Sequence, residues 1–356
     1  MESHPVRTSR FTRRNHRHAP ILRLLETPHH PGYHGAMSDS LPYLTADVPP
    51  LGGRIKTYPT DFVVEEVPLY DACGEGTHSF VCIEKTGMAT MRAVRELARA
   101  LGQPHRNVGY AGMKDANAVT RQYLSIEHVP PERIRDVQVA GIRILSVDRH
   151  TNKLRLGHLK GNRFVIRLRE VDRGRLADVR GIIEHLSRQG VPNYFGQQRF
   201  GTRGDTWQIG RAMLKQDWVE VISVMLGRPS DHDRGEVLKA RRLFEEGRYE
   251  EAARTWPYPF ADARRACVAM ARTKGSHKRA FFGIDKALKR LYLSAFQSYL
   301  FNKVVAVRLG SLAQLLAGDL AYRHANGAVF RVTDPAAEQP RADTFEISPS
   351  GPLFGY

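Results

Sequence analysis

From about residue 50 the apolar residues alternate with polar ones over short runs, and Gly, Pro, Asp and Asn punctuate the runs. This spacing predicts strands over residues 54–58, 62–67, 78–84, 108–111, 119–126, 142–147, 153–156 and 163–168. One helix interrupts them, because Met91, Val94, Leu97, Ala98 and Leu101 recur at helical spacing, with Thr90 as its candidate cap and Gly102 as its stop. A second helix, around residues 177–188, closes this half. After Gly190 the period lengthens to helices around residues 207–215, 219–226, 236–246 and 284–309. The last carries Leu288, Leu291, Tyr292, Ala295 and Tyr299 on one face. The change of period places a domain boundary near Gly190, and 356 residues are more than one core usually serves. The expectation is an α+β chain of two domains. No repeat of 20 to 50 residues is visible, which argues against a solenoid.

Charge narrows the class of partner. The chain has 54 Lys and Arg against 37 Asp and Glu, a formal charge of +17, so it attracts polyanions whatever their sequence. Residues 1–36 hold six Arg, six His and only two acids with no sustained hydrophobic period; they are expected to be a disordered basic extension, with Met37 read as the true start and the part before it as extra translated sequence. Its histidines lack the partners of a metal cage. Cys73, Cys82 and Cys267 form no C-x-x-C pair, which fits a reducing cytoplasm and no structural zinc. No run approaches the roughly 18 apolar residues of a membrane span, so the expectation is a soluble, cytoplasmic protein without a membrane partner.

The segment NVGYAGMKDANAVTRQYLSI, Asn107 to Ile126, is the most informative. A strand runs into small residues, an acid at Asp115 and a second strand, which leaves a carboxylate on a rim narrow enough for a bulky polymer to approach. Either Lys114 or Arg121 is placed to keep Asp115 ionised. The plainer alternative is a turn aspartate paired with a surface lysine. Nucleotide-binding G-x-x-x-x-G-K-[ST] and zinc-ligand spacings are absent.

This segment resembles the catalytic motif of the tRNA pseudouridine synthase D (TruD) family, in which a GYAG-x-KD-x-x-AVT-x-Q pattern carries the nucleophilic aspartate. PTDFVVEE at 59–66, GEGTHSFVCIEKTGMAT at 74–90, RLGHLKGNRFVIRLRE at 155–170, GVPNYFGQQRFG at 190–201 and LYLSAFQSYLFN at 291–302 agree in order and spacing. The resemblance implies a pseudouridine-synthase catalytic domain with a mixed, mainly antiparallel sheet over residues 37–189. It also implies an inserted α/β domain over 190–345, a return to the catalytic domain at 346–356, and a basic cleft between the two domains. It implies an enzyme converting uridine, at position 13, to pseudouridine in transfer RNA as a monomer, with no metal or cofactor. Asp115 would be the nucleophile, and Phe62, Asn162 and Phe164 would meet the everted nucleotide.

Each of these residues also has an ordinary structural reading: Phe62 and Phe164 as strand residues, Asn162 as a turn residue. Lys56, just before the turn at Pro59, suits phosphate, Asp115 or plain solvent. In GVPNYFGQQRFG and the residues just after it, Phe195 and Phe200 read as core, and Arg199 and Arg203 as RNA contacts. The family's pattern continues past SGPLFGY with a stretch that completes the sheet, whereas the chain stops at Tyr356. The expectation is therefore a catalytic domain lacking its C-terminal part, with an inactive RNA-binding protein as the alternative function. No helix-turn-helix, zinc-finger or basic-zipper pattern supports a DNA-binding regulator.

Overall fold

The alternating segments build one mixed sheet in the computed structural model, which describes residues 41–354; the extension expected over residues 1–36 lies outside the described residues. The described residues divide into two units, one spanning Asp47–His185 and one joining residues 41–46 with those from Leu186 onward. The sheet belongs to the first unit. Its strands are β1 (Phe62–Pro68), β2 (His78–Thr86), β3 (Val108–Tyr110), β4 (Val119–Glu127), β5 (Ile142–His150) and β6 (Leu159–Ile166).

The strand order is β5-β2-β4-β1-β6, and only the β1/β4 pair is parallel. β2 pairs with β4 along its whole length, so β1 and β3 must share the other edge of β4. β1 takes Val119–Arg121 and β3 takes Leu124–Ile126. Helix α1 (Thr90–Ala100) lays Val94, Leu97 and Ala98 on the face formed by Val81, Ile83, Leu124 and Ile126, and all seven are buried. Each of the Val, Leu and Ile side chains stabilises the fold by about 1.5–3 kcal/mol when fully removed from water. The short α2 (Pro131–Arg135) adds Ile134 to this core.

The division between the units falls within α3 (Leu176–Gln189). The second unit is mainly helical: α4 (Thr206–Leu214), α5 (Trp218–Leu226), α6 (Gly235–Glu245), α7 (Tyr249–Thr255), α8 (Ala261–Arg272), α9 (His277–Phe282) and α10 (Lys286–Arg308). Val221, Ile222, Leu226, Ala240, Ala266 and Met270 lie at its centre. Gly210 lets α4 meet α10 backbone to backbone, since a Cβ there would sit 2.1 Å from the Tyr292 carbonyl oxygen. A small antiparallel sheet, β8-β7-β9, follows from β7 (Leu320–Arg323), β8 (Val329–Arg331) and β9 (Ile347–Ser350), with α11 (Pro335–Asp343) preceding β9.

Three local expectations need correction. The strand expected at residues 54–58 is reduced to one bridge, Arg54 to Arg169, because Lys56 adopts φ 57°, which breaks an extended run. Residues 153–156 form no strand: that segment crosses β3 at Gly109, where a Cβ would lie 2.4 Å from the Leu154 carbonyl oxygen. The Leu154 N–H donates instead to the Ser125 hydroxyl at 2.9 Å. Thr90 is the first helical residue of α1 rather than its cap, and its hydroxyl is used elsewhere, as described below.

Candidate active site

Asp115 lies in the loop from β3 to β4, beside the start of β1 and the end of β2. Several bonds hold this loop from behind. The Thr90 hydroxyl accepts the Lys114 N–H at 2.8 Å and donates to Gln122 Oε1 at 3.0 Å, so α1 ties the loop to β4. The Lys85 ammonium, fully buried at the end of β2, donates to the carbonyl oxygens of Met88 and, at 3.1 Å, Asp115. The Asn117 N–H donates to Asp115 Oδ1 at 3.0 Å. The carboxylate is thus aimed by backbone contacts on both sides.

Its other oxygen pairs with the Lys56 ammonium. Both side chains are about one-third exposed, 31% for Lys56 and 32% for Asp115, so the pair opens to solvent. The Lys56 hydrogen bond holds the Asp115 carboxyl below its ordinary range, opposed by partial burial and aided by the Asn117 N–H and the charge of Lys85. Burial dominates at Lys85 and pulls it down to about 8, although Asp115 favours its charged form.

Lys56 is held in place at some conformational cost. A non-glycine residue in the left-handed region costs about 1–2 kcal/mol, and such strain persists where the surroundings over-determine it. Here the Arg169 guanidinium grips the buried Asp61 carboxylate through two bonds of 2.6 and 2.8 Å, and Asp61 accepts the Tyr58 N–H at 3.1 Å. The turn between Lys56 and Phe62 is therefore anchored at its centre. The Arg169 bond also keeps Asp61 below the ordinary carboxylate range, against its burial.

Phe62, at the start of β1, lies with its ring centre 4.2 Å from the Lys56 ammonium and 5.9 Å from Phe164, edge to face. Phe164, on β6, is 53% exposed. Asn162 lies two residues before it and faces Glu66 across the β1/β6 pair. It is a strand residue, not a turn residue. The Lys114 ammonium donates to Asn162 Oδ1 at 2.7 Å and forms a buried ion pair with Glu66 at 2.6 Å. Lys56, Phe62, Lys114, Asp115, Asn162 and Phe164 are therefore brought into one linked neighbourhood.

Two expected roles change. Neither Lys114 nor Arg121 pairs with the Asp115 carboxylate. The Lys114 side chain turns away to Glu66, while Arg121 projects from β4 one residue out of phase with Thr120, on the opposite face. There it joins a cross-strand row, Arg163–Glu65–Arg121–Glu84–Arg143, at 2.6 to 2.9 Å. In the second unit, Arg203 is 12% exposed and pairs with Asp205 at 2.8 Å, inside a cluster with Asp233 and Arg241, so it has little freedom to meet phosphate. Arg199 approaches the Ser294 hydroxyl at 3.4 Å and stacks over Phe195 at 5.3 Å, while Phe200 is buried and Phe195 half-buried.

The residues not foreseen are Glu66, Lys85 and Thr90. Strand parity held a signal: Glu66 follows Val64, and Lys85 follows Val81 and Ile83, at inward positions where a charge needs a special partner. Among the described residues no group of three His, Cys, Asp or Glu forms a metal-holding cluster, and no helix is long and apolar enough to cross a membrane.

The chain matches the family described as tRNA pseudouridine synthase D (TruD) over residues 40–356. It is 49% identical over 319 residues to the tRNA pseudouridine synthase D of Geobacter metallireducens, covering 90% of this chain and 79% of that protein. Identity is 39% over 318 residues to the protein of the same name from Anaeromyxobacter dehalogenans, covering 89% and 74%. The fold is similar to the crystal structure of a protein from Methanosarcina mazei described as a putative tRNA pseudouridine synthase D, with TM-score 0.76 and 24% identity, covering 86% of this chain and 74% of that one. An aspartate held ionised on a rigid loop, in a sheet of this topology, thus stands in a chain that belongs to the tRNA pseudouridine synthase D family.

Proposed function

We propose that this chain converts uridine to pseudouridine in transfer RNA, with Asp115 as the nucleophile. The observation that carries the assignment of Asp115 is its state: an ionised carboxylate, one-third exposed, with Lys56 on one oxygen and a backbone N–H on the other. A nucleophilic carboxylate must be charged, fixed in direction and within reach of its substrate, and these contacts supply all three.

The reaction breaks the bond from uracil N1 to ribose C1′ and makes a bond from C5 to C1′. The proton leaves C5 and N1 gains one, so no electron is exchanged with a cofactor. A covalent bond from Asp115, to the base or to the sugar, divides one hard exchange into easier steps. The base must first leave its stack, which costs a few kcal/mol. Phe62 and Phe164 offer it aromatic surface, and Asn162 offers its polar edge an amide. Lys56 keeps the carboxylate charged until it reacts, and Lys85 fixes the loop through the Asp115 carbonyl oxygen.

The finer reading follows the family: uridine 13 as the target, residues 37–189 as the catalytic domain, residues 190–345 as the inserted one, and a monomer working in the cytoplasm. Transfer RNA labelled with tritium at uridine C5 tests the chemistry directly. The chain should release tritium, whereas Asp115→Asn should release none and still bind the RNA within a few fold, since phosphate contacts supply most of the affinity. Undiminished release by Asp115→Asn removes Asp115 from the reaction. Mapping the modified nucleotide then tests the assignment to position 13.

A further inference from the structure

We propose that Glu66 and Lys114 are positioning residues that lock the polarity of the Asn162 amide, and that this lock lets the site accept uracil and refuse cytosine. The inference rests on the reading of Asn162 as a contact of the everted base.

The argument begins with what each group is able to donate. An ammonium has three donors and no acceptor, so the amide atom that faces Lys114 Nζ at 2.7 Å must be the oxygen. An asparagine in solvent turns its amide freely between two orientations. This one cannot, because the reverse orientation would set its NH2 against a buried cation. The NH2 group is therefore the part of Asn162 left to face outward from an exposed position on β6.

Lys114 itself is held by Glu66. The side chains of the pair are 4% and 1% exposed, so neither charge tolerates the loss of the other. Glu66 is in turn fixed by the sheet. β1 and β3 leave a gap on the edge of β4 between Arg121 and Leu124, and the Tyr123 N–H falls in that gap. Glu66 Oε1 accepts it at 3.2 Å and so stands in for the missing strand. A chain of fixed donors and acceptors thus runs from the ladder of β4 through Glu66 and Lys114 to Asn162.

The consequence concerns the base. Uracil carries a carbonyl oxygen at C4, an acceptor; cytosine carries an amino group there, a donor. An amide that presents its NH2 at C4 bonds to the uracil oxygen and opposes the cytosine amino group, and a correct amide pair discriminates against the wrong base by about five- to a hundredfold. Without the lock the amide turns over and accepts either base.

The test measures affinity for two transfer RNA transcripts, with uridine or cytidine at the target position, in the Asp115→Asn background so that nothing is turned over. The parent should prefer the uridine transcript by about tenfold. Glu66→Gln with Lys114→Met removes both buried charges while Gln keeps an acceptor for the Tyr123 N–H, and the preference should fall close to unity. Asn162→Asp, at an exposed position that does not endanger folding, should reverse it, because a carboxylate accepts from the cytosine amino group and repels a carbonyl. A preference unchanged in the Glu66→Gln, Lys114→Met variant or in Asn162→Asp, or absent in the parent, overturns the inference. These outcomes are independent of tritium release by the unmutated chain, whose absence would instead overturn the proposed function.

Discussion

Both units of this molecule bury ionic groups, and they do so to opposite ends. In the helical unit, Arg203, Asp205, Asp233 and Arg241 form a neutral cluster of two cations and two anions, none more than 16% exposed. Arg241 also donates to the carbonyl oxygens of Met225 and Gly227, at 3.1 and 2.6 Å, and so seals the end of α5. Burial pushes the Asp205 carboxyl up, and each charge is spent on another within the cluster. In the sheet unit, Lys56 pairs with the Asp115 carboxylate and Lys85 with its carbonyl oxygen, while Lys114 is matched by Glu66. That arrangement carries surplus positive charge, and its one reactive carboxylate remains open to solvent. A closed and balanced cluster holds helices together; an open and unbalanced one is left with something to do.

Substitutions can break or sharpen this contrast. The largest effect belongs to Asp115→Asn, which should lower isomerisation by at least about a thousandfold while moving folding stability by less than about 1 kcal/mol. A parallel urea melt of this variant checks the second half. Asp233→Ala should do the reverse: it strands the Arg241 cation and should cost about 3–5 kcal/mol of stability, seen as a lower urea midpoint. If both variants lose stability equally, the distinction between the two clusters fails.

Lys56→Met should reduce turnover by about ten- to a hundredfold, through loss of aim. It should also move the acid limb of the pH profile upward, because Lys56 is the main cause of the lowered Asp115 carboxyl. An acid limb in the same place would mean that Lys56 is a bystander. The smallest effect is a slope. Lys85 titrates near 8 in the folded chain against an ordinary 10.5, so between these values the unfolded chain binds more protons and this group stabilises the fold as pH rises. The stability difference between Lys85→Met and the unmutated chain should therefore shift in favour of the latter from pH 7 to pH 10. Unfolding midpoints at the two pH values measure it.

The strand over residues 78–86 was legible as a short apolar run between turn residues, and the helix over residues 90–100 because its apolar residues keep a helical period. The three-stranded sheet was not, since strands of three or four residues carry too little alternation to register. In α11, Pro340 hides a helix that Asp334 begins by accepting the N–H groups of Ala336 and Ala337. At the site, Asp115 stood out on its small-residue rim, and Lys56 was already among its possible partners, with phosphate and solvent as the other readings. Lys114 is its neighbour in sequence and points elsewhere, whereas Lys56 lies 59 residues away and supplies the ion pair. Strand parity alone separates Arg121 from the site face. Arg203 pairs with Asp205, two residues on, but the cluster around them is completed by Asp233 and Arg241, which nothing near Arg203 in sequence announces.

The double grip on one edge of β4 has a mechanical consequence. Two partners, one parallel and one antiparallel, clamp this strand at separate places, so sliding it by a single residue would break both ladders and turn its side chains inside out. The span from Ala111 to Ala118 therefore hangs between fixed posts. Lengthening that span by one residue would carry the reactive oxygen off its mark while leaving the sheet untouched, which makes the loop's count of residues the gauge that sets the reach of the chemistry.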